Sequence, residues 1–475
     1  MVFSSTVFLF MFLPAVWVIH TLIPKRFLSA RNVWLAAASL VFYAYGEPIY
    51  ILLMLASVGV NYVLALLIAK SAEGERDKRR KTLTALAVIL NIGTLAFFKY
   101  VPWLVTLVNG AAGLSLPVPD VTMPVGISFY TFQILSYVLD VSRKTTGAQK
   151  NFPNLLLYIA FFPQLIAGPI VTYESIREQI AAREVSVEKT ALGVRRFLYG
   201  LAKKLLISNT AAVLADAAFA AASPSAALAW VGALSYTLQI YFDFSGYSDM
   251  ALGLASVFGF ELRENFNYPY FARTIRDFWK RWHISLSAWF QQYVYIPMGG
   301  NRCSKKRAAF NRYTVFFLSG LWHGANFTFI LWGLWHGTLM MLEGALPVKK
   351  WEEKRALRPL LRLGTLLAVC LGFVVFRASD IGAAMRFIGA MFSFRGGAGD
   401  VTGLLSPYAV FMLCAGIVLA MPCLPKLREK ARALGGGWER GLSAAEYVFT
   451  LCVLFPLCVM TLASSSFNPF IYYIF

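Results

Sequence analysis

Charge is what this sequence has least of. Only 14% of its 475 residues are Asp, Glu, Lys or Arg, too few to cover a soluble protein of that length with polar surface. Acid is scarcer than base, 24 residues against 44, giving a formal charge of +20. Such an excess can mark nucleic-acid binding, but no soluble basic module is present. In an apolar chain it marks cytoplasmic loops and anionic headgroups instead, so nucleic acid is not an expected partner. Histidine occurs four times and cysteine six, with no CxxC pair; no metal-ligand spacing results, and the cysteines read as small core residues. HExxH, GxSxG, a Walker loop and an EF-hand are all missing, which removes four common enzyme and sensor classes. Neither a metal nor a bound cofactor is expected.

What is present is apolar: 58% of the residues are hydrophobic and the mean hydropathy is +0.61. Runs of about 18–25 such residues, each able to cross a bilayer core of roughly 30 Å as a helix, recur throughout. They cover roughly 3–23, 32–45, 48–69, 82–108, 124–142, 152–170, 190–221, 226–259, 312–345, 360–376, 402–421 and 443–463. The first run has neither a basic flank nor a small-residue cleavage site before Pro24-Lys25-Arg26, and reads as a retained span. Basic segments at 70–81, 349–358 and 426–440 should be cytoplasmic, whereas 45–48 and 109–124, which lack Lys and Arg, should lie outside. The segment 143–310 resists this counting: Pro163, Pro169 and Pro269 interrupt it and its helices carry charge. Segments of that kind lie in the interface or re-enter around a polar interior. The expected class is an all-α polytopic membrane protein.

Three stretches carry candidate chemistry. In "YFARTIRDFWKRWHISLSAWFQQYVYIP" (270–297), Thr274 and Asp277 resemble a capping box. Arg273, Arg276, Asp277 and Lys280 fall on one helical face, beside Phe278, Trp279 and Trp282. This is either an amphipathic helix in the headgroup plane or the basic, aromatic wall of a cavity for an anionic donor such as a coenzyme A thioester. In "SYTLQIYFDFSGYSDMALGLASVFGF" (235–260), Asp243 and Asp249 are carboxylates in an apolar setting and need ion partners, expected among the arginines of 263–281. In "LWHGANFTFILWGLWHG" (321–337), His323 and His336 repeat one word inside a run without formal charge from Tyr313 to Leu342. On one continuous helix their rings would stand about 140° and roughly 20 Å apart. They would then share no substrate atom, and His323, deeper in the run, is the better candidate base. An imidazole can take a proton from an alcohol attacking a thioester.

Five segments together resemble the membrane-bound O-acyltransferases: "PVGISFYTFQILSYVLDV" (124–141), "FFPQLIAGPI" (161–170), "YFDFSGYSDMALGLASVFGF" (241–260), "NFNYPYFARTIRDFWKRWHISLSAWF" (265–290) and "SGLWHGANFTFILWGLWHG" (319–337). The likeness is to the bacterial branch for alginate and peptidoglycan O-acetylation. It implies a single domain over 1–475: N-terminal helices 1–110, a catalytic core of about 120–345, C-terminal helices 360–463 and a tail 464–475. It also implies a ring of about eleven or twelve transmembrane helices around a funnel or tunnel. The resemblance makes His323 and His283 catalytic. It places Arg273, Asp277, Trp279, Lys280, Arg281, Trp282 and Asn326 along the donor tunnel, and leaves His336 without a role. Asp243 and Asp249 stay structural ion-pair candidates.

The tail "SSSFNPFIYYIF" (464–475) is similar to a FIYF-type motif whose tyrosine carries an acyl group. Tyr472 would then be an acyl relay, with Tyr473 as rival; the alternative is an aromatic anchor at the membrane face. The implied activity moves an acyl group, acetyl first, from acetyl-CoA or an acyl-carrier donor across a bacterial cytoplasmic membrane. The acceptor is an extracytoplasmic polysaccharide, reached through a separate SGNH-like acetyltransferase. D-alanyl transfer to teichoic acid and a non-enzymatic transporter of an acylated carrier are the alternatives.

Overall fold

A computed structural model describes residues 1–73, 77–393 and 399–464, together with 467, 469 and 471. Among them the chain is helical throughout, without a strand. In an apolar medium the helix satisfies its own backbone, which is why runs so poor in charge adopt it. The helix starts carry side-chain caps where they leave apolar surroundings: Ser304 Oγ accepts the Arg307 amide, Asp380 Oδ1 that of Ala383, and Ser406 Oγ that of Ala409.

Among the described residues four helices are individually long and apolar enough to cross a membrane: Tyr50–Ala72, Asp77–Ala112, Arg355–Arg377 and Gly436–Ser464. The pair Pro407–Leu419 and Cys423–Leu434 makes a fifth if its 57° bend is one broken span. The chain is a multi-pass membrane protein. Eleven or twelve crossings are suggested by sequence; of the remaining apolar runs some are single helices, such as Leu28–Gly46 and Ala226–Val257, and others are divided into shorter ones. Phe152–Ala160, Phe162–Leu165 and Tyr173–Ala181 replace a single helix around Pro163 and Pro169, because a proline removes a helical hydrogen bond and is tolerated in a first turn.

The chain folds as two compact units, residues 1–194 with 251–263, and residues 195–250 with 264–475. In the first, the helices Tyr50–Glu73 and Asp77–Ala112 are joined by a buried amide pair. Asn61 Nδ2 donates to Asn91 Oδ1 at 3.2 Å, and Asn91 Nδ2 returns the bond to Asn61 Oδ1 at 2.8 Å. Such reciprocal pairs hold apolar helices together where hydrophobicity offers no preference. A second anchor is aromatic: Phe3, Phe8, Phe42 and Phe162 are all buried and in ring contact. The segments "PVGISFY" and "FFPQ" meet where Gly126 (φ 77°) passes the Leu165 carbonyl; a Cβ there would lie 2.9 Å from that oxygen.

In the second unit the helix ending at Ala202 continues as a π-helical turn, Lys203–Ser208, into Asn209–Ala220. It packs against the Ala226–Val257 helix through Gly200 and Gly246, whose backbones touch: a Cβ on Gly200 would stand 2.4 Å from the Gly246 carbonyl oxygen. A hairpin of Lys305–His323 and Phe327–Ala345 follows the same rule. A Cβ on Gly320 would meet the Phe329 carbonyl at 2.4 Å, and one on Gly333 the Phe316 carbonyl at 2.3 Å.

This predicts that Gly320→Val lowers the thermal unfolding midpoint of the detergent-purified protein, at a cost of about 1–3 kcal/mol or more. Gly344→Val on the same hairpin, where a Cβ meets nothing within 4 Å, should leave the midpoint unchanged. Equal behaviour of the two variants would refute the close-packing argument.

Candidate functional site

The site residues gather in the second unit, and the doubled LWHG shows how. The run 312–345 is not one helix, so the separation inferred from a continuous helix does not apply. The Lys305–His323 helix stops at Gly324, and Asn326 starts the next one: its Oδ1 accepts the Thr328 amide at 3.1 Å and its Nδ2 donates to the Ser379 carbonyl at 2.8 Å. Asn326 is thus a cap at the hairpin turn. The two helices run antiparallel and place both histidines against Trp332, with ring centroids 5.0 Å from His323 and 5.2 Å from His336. His323 is the last residue of its helix, where the sequence suggested a mid-membrane position. It is 5% exposed and walled by Trp322 (4.9 Å) and Phe376 (5.1 Å) as well. His336 is fully buried among Trp279, Trp332, Phe278 and Phe316. Among the described residues neither of its ring nitrogens has a hydrogen-bond partner.

His283 joins this cluster from the other side. It caps the Ile284–Phe290 helix with a left-handed backbone (φ 43°, ψ 56°), a conformation costing of order 1–3 kcal/mol in a non-glycine residue. The ring lies 4.6 Å from Phe244 and 6.1 Å from Trp322. Trp322 therefore has His283 on one side and His323 on another. Asn265, a residue the sequence reading passed over, holds the loop: its Oδ1 accepts the Ser285 amide (3.1 Å) and hydroxyl (2.9 Å) and lies 3.2 Å from His283 Nδ1. Its backbone carbonyl takes the Ile284 amide. Nothing in "ENFNYPY" beyond an asparagine in a turn pointed to this.

The basic, aromatic segment is not one amphipathic helix: Ile275–Trp279 and Ile284–Phe290 are separate short helices with His283 at the start of the second. Thr274 Oγ1 accepts the Asp277 amide, and Asp277 Oδ2 accepts the Arg273 amide. Asp277 also binds Arg281 at 2.8 Å. Trp279 packs on His336, Trp332 and Phe316, while Trp282, 4% exposed, packs against Tyr241, Phe266, Phe278 and Phe373. Lys280 is exposed beside them. Arg362 comes close enough to Arg273, Arg281 and Arg358 to feel their charge. Sequence pattern had assigned the 349–358 segment only to a loop.

The two aspartates find different partners from those expected. Asp249 binds Arg196 (2.8 Å) and Lys203 (2.6 Å), and Asp243 binds Lys204 (2.6 Å) with both side chains almost wholly buried. The arginines of 263–281 are not involved, because the Gly200–Gly246 contact brings the π-helical lysines alongside both carboxylates. The Lys204–Asp243 pair also grips the tail. Asp243 Oδ2 accepts the Ile471 amide at 2.8 Å, Lys204 Nζ donates to the Pro469 carbonyl, and Asn209 Nδ2 donates to the Phe467 carbonyl at 3.3 Å. Tyr472 and Tyr473 lie outside the described residues. No three His, Cys, Asp or Glu side chains among the described residues come together as a metal site would require.

An open cavity of about 1320 Å³ is lined by Asp216, Arg377 and Arg386 among others, and none of the histidines lines it. A buried imidazole pair with a flanking indole suits proton transfer at a hydroxyl.

The chain is similar to several known proteins. A protein named "Probable alginate O-acetylase", from Pseudomonas aeruginosa, is 44% identical over 398 residues, 83% of this chain and 75% of its own length. One of the same name from Azotobacter vinelandii is 38% identical over the full length of both. A peptidoglycan O-acetyltransferase of Helicobacter pylori is 33% identical over 83% of this chain and 80% of its own. The family model for membrane-bound O-acyltransferases matches residues 17–376, a stretch that takes in His283, His323 and Asn265, and the chain belongs to that family.

Proposed function

We propose that this acyltransferase moves acetyl groups from a cytoplasmic thioester, acetyl-CoA or an acylated carrier, to hydroxyls of an exported polysaccharide outside a bacterial cytoplasmic membrane. The observation that carries the reading is the meeting of His283 and His323 around one indole, Trp322, in a unit whose relatives are named for O-acetylation of alginate and peptidoglycan. In this reading each histidine works as a neutral base.

In the first step an acceptor hydroxyl gives its proton to His323 as its oxygen attacks the thioester carbonyl. The carbon–sulfur bond breaks, and the leaving thiolate takes the proton from the imidazolium. A dry, aromatic enclosure strengthens every hydrogen bond to the developing oxyanion, and His283 assists in positioning or proton traffic. Arg273, Lys280 and Arg281, with Arg358 and Arg362 beside them, face the anionic donor, and Trp279, Trp282, Asp277 and Asn326 shape the walls. The first acceptor is the phenol of Tyr472. Support for this comes from the tail's backbone, held at Phe467, Pro469 and Ile471 by Asn209, Lys204 and Asp243. In the second step a polysaccharide hydroxyl displaces the tyrosine oxygen from the acetyl carbon, catalysed by a separate extracytoplasmic, SGNH-like transferase.

With radiolabelled acetyl-CoA and purified protein, His323→Ala should reduce acetyl transfer by about 10²–10⁴-fold. Retained transfer in that variant refutes His323 as the base, and labelling from activated D-alanine but not from acetyl-CoA would move the substrate to D-alanylation. Wild-type protein that never becomes labelled, while its loss still stops polysaccharide acetylation in cells, would favour a transporter.

Intact-mass analysis of the C-terminal peptide should show an acetyl adduct that Tyr472→Phe abolishes; an adduct that survives assigns the relay to Tyr473 or elsewhere. Ile471→Pro, which removes the amide held by Asp243, should diminish the adduct without altering the fold of the helices. An undiminished adduct would show that this grip does not serve the transfer.

A further inference from the structure

Asn265 sits at a point where chemistry leaves little freedom. A backbone N–H only donates, so the Asn265 atom 3.1 Å from the Ser285 amide must be the carbonyl oxygen, Oδ1. The other face of the amide agrees: Nδ2 donates to Ser248 Oγ at 3.3 Å. The orientation of this amide is therefore determined by its neighbours. His283 Nδ1, 3.2 Å from that same oxygen, faces an acceptor and must carry the ring proton to bond to it. In a neutral imidazole the remaining nitrogen, Nε2, then holds the lone pair. Among the described residues Nε2 has no hydrogen-bond partner, although His283 is only 1% exposed.

The backbone is arranged to keep the ring there. The Ile284 amide donates to the Asn265 carbonyl and the Asn267 amide to the Arg281 carbonyl, stitching the 265–267 loop to 281–284 on both sides of the histidine. His283 takes up its left-handed conformation between these bonds. Strain of that kind persists where surrounding structure over-determines it. A buried asparagine, 1% exposed, spends its oxygen on three donors from two residues, all in the turn that presents His283.

We infer that Asn265 is a positioning residue that sets the tautomer of His283, holding the proton on Nδ1 so that Nε2 is the nitrogen offered to the reaction. The inference rests on the reading that His283 takes part in the chemistry, and it specifies which atom does so. The bonded partner of one ring nitrogen decides what the other can do, and an imidazole in the opposite tautomer would present an N–H where a base is needed.

The test is solid-state NMR of the protein in lipid with ¹⁵N-labelled histidine rings, which distinguishes protonated from bare nitrogens at each ring position. The chain holds four histidines, His20, His283, His323 and His336, and the spectrum of His283→Gln identifies the signals of His283. Wild type should show Nδ1 protonated and Nε2 bare. Asn265→Ala should populate the opposite tautomer and lower kcat by about 10²-fold with little change in KM for acetyl-CoA. Asn265→Asp keeps an acceptor at Nδ1 and should restore both the tautomer and most of kcat. Should the alanine variant fail to fold, wild type and the aspartate variant still decide the assignment. A wild-type ring protonated at Nε2, or an alanine variant with unchanged tautomer, overturns the inference. Full activity of His283→Gln with the expected wild-type tautomer would instead overturn the chemical role of His283 and leave the tautomer assignment standing.

Discussion

An apolar interior gives a polar group no water to fall back on, and the second unit is organised around that constraint. Lys204 and Asp243 are each nearly inaccessible, and a lone buried charge of either sign costs several kcal/mol after relaxation. Their mutual contact offsets part of this, and the tail's main chain adds an amide to the carboxylate and a carbonyl to the ammonium. The same need for internal partners governs the neutral groups. Asn61 and Asn91 answer each other across two helices, and Asn265 satisfies the Ser285 amide and hydroxyl before it meets the histidine. Polar residues are few in this chain, so each carries a large share of the specificity of the packing.

Glycine supplies the complementary device. Where Gly200 faces Gly246, and where Gly320 and Gly333 face carbonyls of the opposing helix, the backbones approach to distances no side chain would allow. Close approach sets which residues come opposite one another. The first contact brings two successive lysines against two aspartates six positions apart, and the second folds a doubled motif back on itself, so that two histidines share one tryptophan.

Helical class and membrane residence were legible in the sequence because they depend on composition and run length, which need no knowledge of tertiary contacts. The family resemblance was legible for the same reason, as long ordered strings of residues. The break at Gly324–Asn326 was not. It falls inside a run without charge or proline, and the periodicity on its two sides is uninterrupted, so a continuous helix was the natural reading and the two histidines were set too far apart. The partners of Asp243 and Asp249 were missed because pairing across helices is decided by packing; the lysines of "LAKKLLI" were visible as charges, but nothing local tied them to residues forty positions on. Asn265 left no signal at all, since a turn asparagine is common and its importance comes from the histidine folded back over it.

The grip on the tail has a consequence for how this protein tolerates change. Asn209, Lys204 and Asp243 contact carbonyls and an amide at every second residue, Phe467, Pro469 and Ile471, and none of these bonds involves a tail side chain. Bonds to the main chain sense distance along the peptide rather than side-chain identity. Exchanges of one side chain for another at 467 and 471 leave such bonds possible, whereas a one-residue insertion between them would shift which carbonyl and amide meet Asn209, Lys204 and Asp243.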